Sequence, residues 1–178
     1  MRITLLSAFL VGASAFAVPA SAQNVDSKTL IVQSTIPSYC SELGMQDETL
    51  DLGNLTGTTG QLVTEFAQND TLTLETGFYC NAPSTVKIVA EPLRHDTVTT
   101  VADFTSFTNR VDYTASLKWN DQDLPVVSTD SDGAEFNITQ ANIGDMELKI
   151  SDPTVADNLR PIAGGYAGLV RLTISLAQ

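Results

Sequence analysis

The amino-acid sequence predicts an all-β domain, an antiparallel β-sandwich closed by one disulfide. Three observations carry that expectation. Apolar residues recur at every second position through most of the chain, and turn-forming residues interrupt these runs about every ten residues. Two cysteines, Cys40 and Cys80, are the only thiols, in a chain that begins with an export signal. No helix-length window carries an apolar stripe of helical period.

The alternation is clearest in residues 110–119, RVDYTASLKW. There Val111, Tyr113, Ala115, Leu117 and Trp119 alternate with Arg110, Asp112, Thr114, Ser116 and Lys118. A strand sends successive side chains to opposite faces, so the first set faces a core and the second faces water. The same beat runs through TLTLE (Leu72, Leu74), TVKIVA (Val86, Ile88, Ala90) and MELKI (Met146, Leu148, Ile150). It returns in the C-terminal LVRLTISL, with Val170, Leu172, Ile174 and Leu176. At most one helical turn is expected, around Ala156 to Leu159. Turn-formers stand between the runs at Gly53-Asn54, Gly57 to Gly60, Asn69-Asp70, Asn81-Ala82-Pro83, Asn120-Asp121, Asp130-Ser131-Asp132-Gly133, Asp152-Pro153 and Gly164-Gly165. Short strands punctuated in this way lack the helices that parallel crossovers need. They favour an antiparallel sandwich of immunoglobulin-like, Greek-key type.

The first 22 residues, MRITLLSAFLVGASAFAVPASA, join a positive start at Arg2 to an apolar run from Ile3 to Val18 and small residues at Ala20 and Ala22. This is the pattern of a signal peptide cleaved after Ala22. The run is too short for a membrane span and no basic stop-transfer cluster follows it. Residues 23–178 then form one domain, long enough to bury a core, exported to the periplasm, the cell surface or a fimbrium. The chain has 21 acidic and 9 basic residues and a net charge of −12, which becomes −13 without Arg2. Such acidity opposes binding to nucleic acid or to anionic membrane surfaces. A hydrophobic content of 43% separates the chain from disordered ones. In an oxidising compartment two cysteines allow a single pairing, Cys40–Cys80. A metal site is a poor competitor, because two thiols and the single His95 fall short of four ligands.

No residues arrange themselves for catalysis, and neither a cofactor nor a catalytic residue is assigned. His95 is the only imidazole, in a polar segment Leu93-Arg94-His95-Asp96-Thr97 read as a turn, and no Gly-x-Ser-x-Gly elbow accompanies it. Asp130, Asp132 and Glu135 around Gly133 are the ingredients of a calcium loop without its full spacing, and equally those of an acidic hairpin turn. A ligand-binding module for calcium or a glycan, using the acidic loops, therefore stays open as the alternative function. Trp119 and Tyr113 fall on the apolar side of their strand and are assigned to the core rather than to a sugar-binding face.

Several segments together resemble the pilin-like subunits of chaperone–usher systems, including the spore-coat-U-like branch. They are the extended Leu30-Ile31-Val32, Cys40, Asp51-Leu52-Gly53, the run TLTLETGFYC closing at Cys80, and the terminal Gly165-Tyr166-x-Gly168-x-Val170-x-Leu172-x-Ile174. The chain departs from that pattern in ending Ile174-Ser175-Leu176-Ala177-Gln178, without an aromatic residue, and in its acidic 120–160 stretch. The resemblance implies a first cysteine in the opening strand, a strand ending at Gly53, and a sandwich lacking one strand that a neighbouring subunit supplies. The candidate donor is residues 25–36, outside the disulfide loop, with Leu30, Val32 and Ile36 on one face; the same segment is equally a candidate for the protein's own first strand. The implied function is a non-enzymatic structural or adhesive surface subunit. Its implied partners are other copies or related subunits and a periplasmic chaperone.

Overall fold

In the computed structural model, which describes residues 28–43, 48–66 and 70–177, the five alternating runs named above all lie in β-strands. The expected signal peptide, residues 1–22, lies outside the described residues, as do residues 25–27 of the candidate donor. The chain divides between Thr35 and Ile36 into two units, and all the strands belong to Ile36–Gln178.

The strands follow one another as β1 (Thr71–Cys80), β2 (Ser84–His95), β3 (Phe107–Thr108), β4 (Arg110–Trp119), β5 (Gln122–Val127), β6 (Ala134–Ile138), β7 (Asn142–Thr154), β8 (Arg160–Pro161) and β9 (Tyr166–Leu176). Turns link β1 to β2 at Asn81-Ala82-Pro83 and β4 to β5 at Asn120-Asp121, where Asn120 takes a φ of 52° that Asn tolerates. The single helical turn is a 3₁₀ element, Ala156–Asn158.

Two antiparallel layers result. One has the order β1-β7-β4-β5 and the other β6-β2-β9. They join where Leu93 and Arg94 of β2 pair with Val111 and Arg110 of β4. Beyond that junction the two strands part, β2 taking β6 as its neighbour and β4 taking β5. The path β1-β7-β4-β2-β9 is thus one curled sheet that wraps the core, ending at β1 on one side and at β9 on the other. Pro125 lies in β5, which pairs with β4 alone, an edge position where the missing N–H costs no ladder bond.

The inward faces meet as the alternation requires. Val111, Ala115, Leu117 and Trp119 of β4 are wholly buried, and Tyr113 is 3% exposed. Val86, Ile88 and Ala90 of β2, Phe78 of β1 and Met146 and Ile150 of β7 pack against them. Phe78 meets Trp119 edge-to-face at 5.2 Å, a geometry that aligns the positive ring edge with a negative face. The polar tips are satisfied: Trp119 Nε1 donates to the Phe78 carbonyl at 3.3 Å, and the Tyr113 hydroxyl donates to the Leu169 carbonyl at 3.3 Å. Among the described residues Ser84 Oγ is the buried side-chain atom left without a hydrogen-bond partner.

Four local expectations are not met: two expected turns give way to strand pairing, and two expected strand segments form no ladder. Asp152-Pro153 is no turn between strands but a bulge inside β7. The register passes from Thr114↔Ser151 to Asp112↔Thr154, and Asp152 absorbs the extra residue at φ 51°. Leu93, Arg94 and His95 extend β2 rather than forming a turn, because Arg94 and His95 pair with Ala167 and Tyr166 of β9. Residues 48–54 form no strand, so the strand ending at Gly53 is absent; Leu50 and Leu52 lie half-buried against the core instead. Cys40 sits outside any strand as well, making only an isolated bridge to Cys80.

Candidate functional site

The disulfide joins Cys40 to Cys80 across 40 residues, and the chain beside it is clamped to the end of β1. Ser41 N donates to the Tyr79 carbonyl at 2.8 Å and Asn81 N to the Tyr39 carbonyl at 2.9 Å. The Asn81 side chain accepts from Tyr39 N at 2.6 Å and donates to the Pro37 carbonyl at 3.0 Å. Residues 37–41 therefore have a defined path without belonging to a ladder.

Residues 28–36 form no strand. Leu30 is 79% exposed, Val32 93% and Ile36 83%, so the three candidate donor side chains hold their apolar surface in water. A large apolar side chain gains roughly 1.5–3 kcal/mol on full burial; three in one short segment amount to a strong tendency to find a surface.

The last strand presents such a surface. β9 pairs with β2 along its length, from Tyr166↔His95 to Leu176↔Ser84, and among the described residues no strand adjoins its other edge. Its inward side chains, Val170, Leu172, Ile174 and Leu176, are only half-buried, whereas Val86, Ile88 and Ala90 of the neighbouring β2 are covered. An edge of this kind offers unpaired N–H and C=O groups beside incompletely covered apolar side chains.

The start of β9 is fixed by a polar knot. His95 Nδ1 accepts from Thr97 N at 3.1 Å and Val98 N at 3.0 Å, while Nε2 donates to the Ala163 carbonyl at 3.0 Å. Both ring nitrogens are thereby committed to backbone, with the ring edge against Tyr166 at 5.3 Å. The Tyr166 hydroxyl lies 3.0 Å from the Ile162 carbonyl and 3.2 Å from that of Thr108, and burial pushes its phenol above the usual value. Burial, reinforced by the Glu91 carboxylate, pushes Tyr113 up to about 12. His95 thus ties the end of β2 to the backbone at Thr97, Val98 and Ala163.

The acidic segment crosses between the layers rather than closing a hairpin, since β5 pairs with β4 and β6 with β2, and Asp130 accepts from Asp132 N at 3.0 Å in a side-chain turn. Among the described residues no group of three or more His, Cys, Asp or Glu side chains gathers in a geometry suited to a metal ion. No helix among them is long and apolar enough to cross a membrane. Among the described residues the exposed aromatic side chains are Tyr39, Tyr79, Phe104 and Phe107. Tyr79 was legible in principle, since alternation around the inward Phe78 and Cys80 puts it outside. Comparison with protein-family models, with curated proteins and with solved structures returns no match.

Proposed function

We propose that this protein is a non-enzymatic, exported structural or adhesive subunit of pilin-like kind that assembles by β-strand exchange. In this reading residues 25–36 of one copy add to the free edge of β9 in the next. Export by the signal peptide, an immunoglobulin-like Greek-key sandwich and delivery by a periplasmic chaperone belong to the same proposal.

The observation that carries it is the pairing of complementary deficits within one chain. Among the described residues β9 has no strand on its outer edge and keeps Val170, Leu172, Ile174 and Leu176 half-covered, while Leu30, Val32 and Ile36 stand exposed outside any strand. An added strand makes main-chain hydrogen bonds with the edge, and its alternate side chains fill the gaps beside the core. Burying three such side chains contributes roughly 5–9 kcal/mol before the costs of association and ordering. The Cys40–Cys80 bond lies inside the donor segment's attachment point, so the sandwich stays stapled while the segment leaves it.

Electrophoresis of the purified mature protein in mild detergent, with and without heating, tests the proposal. A ladder of multimers that collapses on heating, and that is lost when residues 23–35 are deleted, is the expected result. A single monomer band that the deletion leaves unchanged overturns strand exchange.

A further inference from the structure

We propose that two exposed apolar patches at opposite ends of the domain form a second contact between copies of this chain, Tyr39, Tyr79 and Ile143 of one copy packing on Phe104 and Phe107 of the next. The contact rests on the strand exchange proposed above, and it places where the bodies of two copies joined in that way touch.

The first patch lies on the outer face of the β1–β7 layer. Tyr79 and Ile143 are directly opposite each other in the register, so they share a face, the one turned away from the buried Phe78 and Cys80. Ile143 is 64% exposed, and Tyr79 is exposed beside it. Tyr39, also exposed, stands with its ring centroid 6.0 Å from that of Tyr79. The second patch is Phe104, 75% exposed, with the exposed Phe107 of β3. Both belong to one turn, which Phe107 N closes on the Asp103 carbonyl at 3.0 Å.

Strand pairing sets the patches at opposite ends. β1 ends at Cys80, and the turn after it leads to Ser84, which pairs with Leu176 at the end of β9. At the far end of β2, His95 pairs with Tyr166, whose hydroxyl lies 3.2 Å from the Thr108 carbonyl, next to Phe107. The 12 residues of β2 separate the two ends, about 35 Å at the rise of a strand. One copy cannot bring its own patches together, whereas two copies stacked in the same direction can.

The donor segment leaves from the first patch. The Asn81 side chain holds the Pro37 carbonyl at 3.0 Å and Tyr39 N at 2.6 Å. Ile36, the last donor residue, is three residues from Tyr39, at most about 11 Å of extended chain, and an added strand lies about 4.8 Å from its neighbour. The acceptor's β9 therefore comes within about 16 Å of Tyr39. Antiparallel addition, the more stable pairing per residue, sets Ile36 beside the Tyr166 end of that strand, where Phe104 and Phe107 stand. Parallel addition would instead bring two first patches together and leave both phenylalanines bare. The antiparallel contact covers both patches and, being head-to-tail, repeats without closing on itself.

The test puts photoreactive benzoylphenylalanine in place of Ile143 in the full mature protein and, in a second sample, in place of Leu30. Multimers of mixed isotopically labelled and unlabelled protein are irradiated, and cross-linked peptides are identified by mass spectrometry. Position 143 should capture the peptide carrying Phe104 and Phe107 of another copy, and position 30 should capture a β9 peptide. Ile143→Glu and Phe104→Lys, both at exposed positions, should each speed dissociation of the multimers about tenfold while leaving the melting temperature of the monomer unchanged. The double variant Ile143→Glu/Phe104→Lys should return to within about threefold of the original rate. Cross-links from position 143 to the Tyr79 region of another copy, or single substitutions that leave dissociation unchanged, overturn the contact. In either case a β9 cross-link from position 30 leaves strand exchange standing, and multimers in which position 30 captures no β9 peptide refute strand exchange itself. A protein that stays monomeric overturns both.

Discussion

Breaking the Cys40–Cys80 bond should destabilise the domain by about 4 kcal/mol while leaving its native structure in place. The two halves of that statement have different origins. A cross-link spanning 40 residues removes loop-closure entropy from the unfolded chain, and the chain-entropy relation gives about 4 kcal/mol at that length. In the folded state the bonds from Ser41 N to the Tyr79 carbonyl and from Asn81 N to the Tyr39 carbonyl hold residues 39–41 against β1 without the sulfurs. For a unit the size of Ile36–Gln178, each kcal/mol moves the melting temperature by about 3–4 °C, so the expected fall is about 12–16 °C. The assay is urea unfolding of the oxidised protein and of Cys40→Ala/Cys80→Ala, followed by fluorescence of Trp119, the single tryptophan, which is fully buried beside Phe78. The midpoint should fall, and the urea slope should rise because the uncross-linked unfolded chain exposes more surface. A loss below about 1 kcal/mol with an unchanged slope would refute the entropic reasoning.

The other predictions concern single side chains. Ser84→Ala removes a buried hydroxyl that has no partner and should leave stability unchanged or raise it by about 1 kcal/mol in the same urea assay; a loss of that size would show a bond the geometry does not contain. Trp119→Ala empties the largest fully buried site and should cost about 3–5 kcal/mol, read by calorimetry. Gly133→Ala should cost more than about 1 kcal/mol, since Gly133 has φ 74° and an added Cβ would overlap the Ile88 carbonyl. Tyr113 sets an alkaline limit. Its phenol is raised from 10.0 to about 12 in the fold, so the neutral form is the one the fold favours. That contribution is complete below pH 10 and is lost as the pH rises towards 12, by at most about 2.7 kcal/mol. Stability measured across this window should fall with tyrosinate absorbance, and Tyr113→Phe should remove that part of the slope.

How much was legible follows from the range of each signal. Residues 110–119 declare their two faces within the segment itself, so Val111, Tyr113, Ala115, Leu117 and Trp119 were assignable to a core before any partner was known. The cysteine pairing was legible because two thiols allow one bridge. Asp152-Pro153 misled because a turn-forming pair inside a long strand does not say that β4 will continue pairing on both sides of it. His95 misled similarly: a polar residue after Arg94 resembles a loop until Tyr166 of β9 arrives opposite it. Residues 48–54 carry leucines at alternating positions and yet form no strand, packing on the core without a ladder partner.

The sequence by itself determined five of the nine strands, their inward faces and the covalent staple, because alternation and cysteine count are properties of a single segment or of a small tally. The tertiary structure alone decided that β9 ends the curled sheet and that, among the described residues, no strand adjoins its outer edge. Pairing depends on which strands compete for the same neighbour. That competition is settled by backbone hydrogen bonds and packing across the whole domain, not by any residue's own preference.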